Sequence, residues 1–511
     1  MAEYFAEVPL GRTIFTLIAA WIAYFVTVVV YRLYFSPLAK FPGPKIAAAT
    51  GWYEFFYDYW LSGQYIFEIK RMHEVYGPIV RINPAELSIH DAEFYNELYV
   101  TESRRRTECY EAFCNGIDHE GSFLLTVDHD LHKKRRKPFE QFFSKKGIAS
   151  LQSMFSEVSL HLESRLREFQ GQGAVIRLDH AFSAFSGDII GRLCLDDDDV
   201  GDRFLDDPGF SSGWYDMMQM IVRSIPLFTN LPWIIRIVRA IPESFLLWAF
   251  PRGQMFQKFA QRARQNIRRA MLDAQIEEKH TNSLFRHVLN SDMPESEKSE
   301  ERLTGEAQVM LGGGTVTTAR TLGFASYYIL SRPEIRTRLE TEVKQVMADW
   351  PQRVPEWAEL EKLPFLQGII KESLRLSYGV MHRLPRISPD VPIQYKNYTI
   401  PPGIPVGMSA YFMHSDPMIY PSPEEFIPER WVGDVDISMH KNWVPFCRGS
   451  RSCLGMNLAM AEMSLILAVL YRPNGPKFEL FDTYESDVKQ AHDFMIPVPK
   501  LDSNGVRILI R

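Results

Sequence analysis

The chain has 511 residues, 46% of them hydrophobic and 23% charged, with a formal net charge of −6. That much apolar side chain supports a large buried core and excludes general disorder, and the mildly acidic balance excludes the broad basic face that nucleic-acid binding requires. The cysteines (Cys109, Cys114, Cys194, Cys447 and Cys453) are odd in number and few for the length, which excludes a disulfide framework and points to ordinary thiols in a reducing compartment.

Thr13 to Tyr31 carries no charge. As a helix it spans about 28 Å, close to the roughly 30 Å of bilayer hydrocarbon. The run is too long for a signal peptide, and no small-residue cleavage site follows. Glu3, Glu7 and Arg12 precede it, and Arg32, Lys40 and Lys45 follow. Basic residues favour the cytosolic side, so the body should face the cytosol. Residues 1–36 are therefore expected to form a membrane anchor and residues 37–511 a single large domain.

FPGPK (Phe41 to Lys45) is a stiff, non-helical elbow. RINPAELSIH (Arg81 to His90) reads as short strands. Helical periodicity dominates from about Ala112 to Ala348, with loops at Asp196 to Asp207 and Ser291 to Arg302. Leu231 to Phe250 is apolar but broken by Arg236, Arg239, Pro242 and Glu243, which suits an interfacial segment or a core helix better than a crossing. Pro392 to Ser409 reads as strands and turns, and helix returns after Leu454.

The stretch FCRGSRSCLG (Phe446 to Gly455) leads into an apolar helix. Cys453 would stand at that helix's first turn, where unpaired N–H groups and the dipole stabilise a thiolate. No base adjoins it, so a nucleophilic role is not supported. Gly449 and Gly455 permit a tight turn and close approach, Phe446 can pack on a flat group, and Arg451 can meet an acidic edge. These features suit haem. Phe446, Gly449, Arg451, Cys453 and Gly455 together match the haem-binding signature of the cytochrome P450 family, and the chain resembles that family over nearly its whole length. The wording YRLYFSPLAKFPGPK and VDHDLHKKRRKPFEQFF is similar to fungal secondary-metabolism members of the trichodiene-oxygenase kind.

Further motifs carry the resemblance. Glu372 and Arg375 form E-x-x-R, and FIPERW (Phe426 to Trp431) resembles the P-E-R-F element with Trp431 in place of phenylalanine. The resemblance implies a buried structural network of Glu372, Arg375 and Arg430. GGGTVTT (Gly312 to Thr318) resembles the oxygen-activating stretch of the central helix, with Gly313 and Gly314 against the cofactor and Thr317 as the catalytic threonine. The usual acidic neighbour is Val316 here, so Thr315, Thr318 or water would have to substitute. HKKRR (His132 to Arg136) matches W-x-x-x-R with His132 replacing tryptophan. His132, Arg136, Arg386 and Arg451 are then the expected haem-propionate donors. Lys133, Lys134, Arg135 and Lys137 are a candidate reductase-docking face.

The resemblance implies a mainly α fold, a helical prism with small β-sheets, preceded by one N-terminal transmembrane helix in the endoplasmic reticulum membrane. It implies haem (heme, iron protoporphyrin) ligated by Cys453, and a partner reductase delivering electrons from NADPH. The expected activity is O2-dependent monooxygenation: hydroxylation, in one or several oxidations, of a lipophilic secondary metabolite of terpenoid type. Expected substrate contacts are Phe113, the Ile117 to Leu125 loop, Met217 to Ile221, Val309, Val380, Met381, Phe494 and Met495. Two other readings stay open at this point: a haem-thiolate isomerase or dehydratase needing no reductase, to which Val316 leans, and a non-catalytic haem sensor.

Overall fold

A computed structural model of the chain describes residues 10–114, 121–195, 203–251, 253–274 and 284–511. Parts of two sequence-predicted loops, residues 117–120 and 196–202, lie outside these residues. Helix α1 (Leu10–Val30) continues through a π-helical turn, Tyr31–Phe35. The most apolar 18-residue window within Gly11–Phe35 has a mean hydropathy of 2.3, and among the described residues this is the one helix long and apolar enough to cross a bilayer. It fits a membrane anchor.

The junction between anchor and body is fastened by hydrogen bonds. Arg32 Nη1 donates to the Ala49 carbonyl at 2.9 Å, and Arg81 Nη1 donates to the Arg32 carbonyl at 2.7 Å. In the proline elbow, a Cβ on Gly43 would stand 2.4 Å from the Arg81 carbonyl oxygen. Glycine is required there because the elbow runs against the edge of the sheet, and Arg81 N–H donates back to Pro42 at 2.7 Å.

The larger sheet contains β1 (Ile79–Arg81), β2 (Leu87–Ile89), β3 (Glu108–Cys109), β4 (Arg386–Ile387) and β5 (Pro405–Gly407), in the order β1-β2-β5-β4-β3. The β2–β5 pair is parallel and the other pairs are antiparallel. A separate hairpin joins β6 (His492–Phe494) to β7 (Ile496–Val498) through Met495, whose φ is +77°. Aliphatic and aromatic side chains around the larger sheet form one core.

The second, larger core is helical. It gathers α2 (His129–Glu140), α3 (Leu178–Leu195), α4 (Ser212–Asn230), α5 (Glu300–Ser331), α6 (Pro364–Ser377) and α7 (Met456–Leu470). The 32-residue α5 is capped by Ser299, whose hydroxyl accepts from Arg302 N–H at 3.3 Å. It packs against α3, α6 and α7.

The Leu231 to Phe250 stretch forms two short helices, Trp233–Ala240 and Glu243–Ala249, interrupted at Pro242. Trp233, Ile237, Phe245, Trp248 and Phe250 are exposed on them. Helices of 8 and 7 residues cannot cross a bilayer, and their outward aromatics favour the interfacial reading over the core-helix one.

Glu462 is a buried carboxyl inside α7 that the sequence did not single out. Ser186 on α3 donates to its Oε2 at 2.8 Å, and burial pushes the group up to about 8. A folded pKa above the unfolded one contributes stability that is complete below about pH 4.5 and is lost as pH rises to about 8. Glu462→Gln is expected to remove that loss. The unfolding midpoint should fall less between pH 5 and pH 8 in the variant, with a difference on the order of 2 kcal/mol, read by thermal or urea unfolding at both pH values.

Candidate active site

The loop Phe446 to Gly455 is held from both sides. Gly449 has φ +74°, and a Cβ there would stand 2.4 Å from the Val100 carbonyl oxygen. Ser450 N–H donates to that same oxygen at 3.2 Å. Cys453 N–H donates to Phe446 O at 2.9 Å, closing the loop on itself. Gly455 caps α7, and its N–H is directed at the Cys453 sulfur. Phe446 meets Trp443 edge-on at 6.0 Å between ring centroids.

Cys453 is exposed, yet burial raises its thiol pKa. Protein around the sulfur desolvates it, although the residue keeps accessible surface. The Gly455 N–H and the Arg136 charge pull the other way and are outweighed. The Gly455 N–H favours the thiolate, as expected of the helix terminus; desolvation outweighs it, and a cation bound at the sulfur is what would release its proton. Cys447, six residues earlier, is oriented differently. It has φ +56°, lies against the sheet-side core, and its sulfur approaches Tyr95 and the Arg448 carbonyl.

Midway along α5 the three glycines have different neighbours. A Cβ on Gly314 would lie 2.7 Å from Ile190 Cγ1 on α3, and one on Gly312 3.2 Å from Met218 Cε on α4. Helix packing accounts for both. Gly313 is exposed, and a Cβ there would meet nothing within 4 Å. Thr317, one turn further on the same face, is only half-buried and donates its hydroxyl to Gly313 O at 2.8 Å. Its oxygen lone pairs remain available as acceptors.

Val316 is buried in the core, Thr315 donates to Leu311 O at 2.9 Å and lies near Trp214 Nε1, and Thr318 is buried. Thr315 and Thr318 therefore do not substitute for an acidic residue at 316. Within Gly312 to Thr318, Thr317 is the hydroxyl that reaches open space.

A cationic rim stands near Cys453. His132 is buried on α2, and burial together with Arg451, Arg136 and Arg386 pulls it down to about 2, so it is neutral. Arg136 donates to Ser452 O at 2.6 Å and to the exposed Glu140 at 3.0 Å. Arg386 is buried, stacks over Tyr99 at 5.6 Å, and donates to Pro385 O at 3.2 Å. Arg451 donates to the carbonyls of Thr107, Thr126, Val127 and Asp128 at 2.6–3.3 Å, clamping the entry to α2. Among the described residues, the one carboxylate hydrogen-bonded to these three guanidiniums is Glu140. Three cations with so little neutralisation form a seat for acidic groups. A thiol, an open glycine-threonine face on α5 and an acid-receptive rim beside the thiol are groups that suit a flat apolar cofactor with acidic substituents. Haem is such a group.

The cytochrome P450 family model matches residues 47–479. The chain belongs to the cytochrome P450 family. It is 50% identical over 509 residues to the cytochrome P450 monooxygenase oblB of Aspergillus clavatus, covering 98% of each chain. It is 50% identical to the fusicoccadiene C-8 hydroxylase of Phomopsis amygdali, covering 95% of this chain and 94% of that one. It is 42% identical to the stellatic acid synthase of Emericella variicolor, covering 97% and 94%. The protein is thus a monooxygenase of a haem-thiolate family, with fungal secondary-metabolism relatives.

In this P450 the E-x-x-R pair is completely buried. Arg375 grips Glu372 with two bonds, Nε to Oε2 at 2.9 Å and Nη2 to Oε1 at 2.8 Å. Its remaining donors reach the carbonyls of His414, Pro423 and Glu425. Arg430 Nε and Ile427 N–H donate to Glu372 Oε1 at 2.9 and 3.0 Å. Trp431 adds what phenylalanine could not: its indole N–H donates to Glu372 Oε2 at 2.8 Å. Trp431→Phe is expected to cost about 1–3 kcal/mol, measured as a drop in unfolding free energy with the haem spectrum retained.

Phe113, Phe494 and Met495 line a cavity of about 210 Å³ between the segment Gly51 to Asp58, the end of α4 and the β6–β7 hairpin. One side of it is ionic. Arg383 bridges Glu86 at 2.6 Å and Glu54, and His382 Nδ1 lies 3.0 Å from Asp493 Oδ2. The sequence reading missed this cluster, because its partners come from segments hundreds of residues apart. Met217 and Met381 are fully buried and pack as core, while Val309 and Val380 are half-buried. Among the basic residues of α2, Arg135 does not belong to a docking face. It is half-buried in an ion pair with Glu297 at 2.6 Å and also donates to Thr126. Lys133 pairs with Glu102 at 2.5 Å, and Lys134 and Lys137 are exposed.

Proposed function

We propose that Cys453 would hold a haem through its thiolate and that the enzyme hydroxylates a lipophilic terpenoid with O2 and NADPH-derived electrons. The observation that carries this is the Cys453 sulfur, set just before α7 beside the Gly455 N–H and the Arg136 charge, with accessible surface left on the residue. The haem supplies reductive O2 activation, with the thiolate donating electron density that favours O–O cleavage. Phe446, Gly449 and Gly455 shape the sulfur loop. His132, Arg136, Arg386 and Arg451 take the acidic edge, and Gly313 leaves room on the opposite face.

Thr317 Oγ1, with its own hydrogen committed to Gly313, accepts and orders protons in the cavity. Thr317→Ala is expected to divert NADPH electrons to hydrogen peroxide. Product formed per NADPH consumed should fall about tenfold or more, while tight coupling in the variant would remove Thr317 from the proton path.

The terpenoid assignment is supported by the relatives' names and by the apolar Phe113, Phe494 and Met495. Membranes containing the protein and a reductase, given a panel of sesquiterpene and diterpene hydrocarbons with NADPH, should convert one into a product bearing an added oxygen atom. Turnover of an oxygenated substrate without NADPH would favour an isomerase or dehydratase instead. Lys133, Lys134 and Lys137 are the proposed reductase-docking residues, and α1 would hold the body on the cytosolic face of the endoplasmic reticulum membrane.

A further inference from the structure

We infer that Cys109 and Cys114 form a peroxide-sensitive dithiol that oxidises reversibly to an intramolecular disulfide beside the Arg386 and Arg451 guanidiniums. The two sulfurs lie 3.6 Å apart. The backbone between them is already a turn, with Phe113 and Cys114 N–H groups donating to Tyr110 O at 3.0 and 3.3 Å. Cys109 ends β3, opposite Arg386 on β4.

The two thiols have different chemistry. The hydrogen bond from Cys114, aided by Arg386 and Arg451, pulls Cys109 down against the effect of burial. Cys114 is raised by the same contact. Cys109 is thus the attacking thiolate and Cys114 the resolving thiol. Cys194 instead faces Met310 Sδ at 3.7 Å, and Cys447 and Cys453 belong to the loop described above.

The oxidant is hydrogen peroxide, which uncoupled turnover of the proposed monooxygenase would release beside this pair; the source, though not the chemistry, rests on that proposal. The Cys109 sulfur attacks one peroxide oxygen, the O–O bond breaks, and hydroxide leaves, giving a sulfenic acid. The Cys114 sulfur then attacks the Cys109 sulfur, the S–S bond forms, and the hydroxyl leaves as water with the Cys114 proton. Two electrons from two thiols reduce one peroxide to water. Closure requires the sulfurs to approach to about 2.05 Å, which draws on the Tyr110 to Phe113 segment. Phe113 stacks on His382 at 6.2 Å and lines the 210 Å³ cavity, so oxidation reshapes that wall and slows turnover.

The test treats the full-length haem-loaded protein in lipid nanodiscs with one equivalent of hydrogen peroxide, then alkylates it and maps its peptides without reductant. A peptide bridged between Cys109 and Cys114 should dominate, with iodoacetamide labelling of Cys114 reduced at least about tenfold and restored by dithiothreitol. Cys114→Ser should instead leave a dimedone-reactive sulfenic acid at Cys109, and Cys109→Ser should leave Cys114 unoxidised. Both thiols remaining alkylatable in the wild type, or another cysteine oxidising first, overturns the inference. Loss of the haem-thiolate spectrum before peroxide is added would instead count against the proposed function, and peptide mapping keeps the two failures apart.

Discussion

Cys453→Ser is expected to abolish turnover while leaving the chain folded. The sulfur's polar neighbours are few: the Gly455 N–H, the Arg136 charge and the Cys447 thiol. Serine fits the same backbone and can accept the same N–H, so the loop pinned by Gly449 and the Phe446–Cys453 bond should persist. A hydroxyl does not supply the electron density of a thiolate, and O–O cleavage depends on it. Product formation should fall at least about a thousandfold, equivalent to roughly 4 kcal/mol of activation free energy. Product analysis by mass spectrometry, alongside circular dichroism of the purified variant, reads both parts of the expectation. Cys447→Ser is the control, since that sulfur faces Tyr95 and the sheet-side core. It should keep most of the activity.

Glu372→Ala should produce the largest loss of stability. One carboxylate with no exposed surface takes hydrogen bonds from Arg375, Arg430, Ile427 and Trp431. Its removal leaves two guanidiniums, an indole N–H and a backbone N–H without their acceptor. Breaking a buried ion pair from one side costs about 3–5 kcal/mol, a large share of the roughly 5–15 kcal/mol that holds a domain folded. The network also ties α6 to the segment Ile427 to Trp431, which lies upstream of the cysteine loop. Little soluble, haem-loaded protein should accumulate. Glu372→Gln should be milder, because the amide oxygen still accepts. Normal yield and an unchanged unfolding midpoint for Glu372→Ala would show that the network is dispensable.

Local features of the site were legible in the sequence. The haem loop, the E-x-x-R pair and the glycine-threonine stretch are contiguous, so their residue types and spacing already state the geometry. The apolar anchor and the elbow were readable for the same reason. Contacts closed over long sequence separations were not. Arg135 reads as one more basic residue until Glu297 is brought against it. Arg383 drew no reading from the sequence, because Glu54 and Glu86, which flank it, lie about 300 residues away. Gly314 reads as a cofactor glycine, and it is Ile190 on a neighbouring helix that explains its missing side chain. Trp431 stands in the sequence as a departure from phenylalanine, and the structure shows its indole N–H donating to Glu372. At Cys453 the helix terminus is visible in sequence, and the desolvation that opposes it is not.

The measurement that bears most directly on the central claim is iron X-ray absorption fine structure of the purified, haem-loaded protein. A sulfur scatterer should appear in the first coordination shell of the wild type and of Cys447→Ser, and be absent in Cys453→Ser. Its persistence in Cys453→Ser, or its loss in Cys447→Ser, would contradict the assignment of iron to the sulfur at position 453.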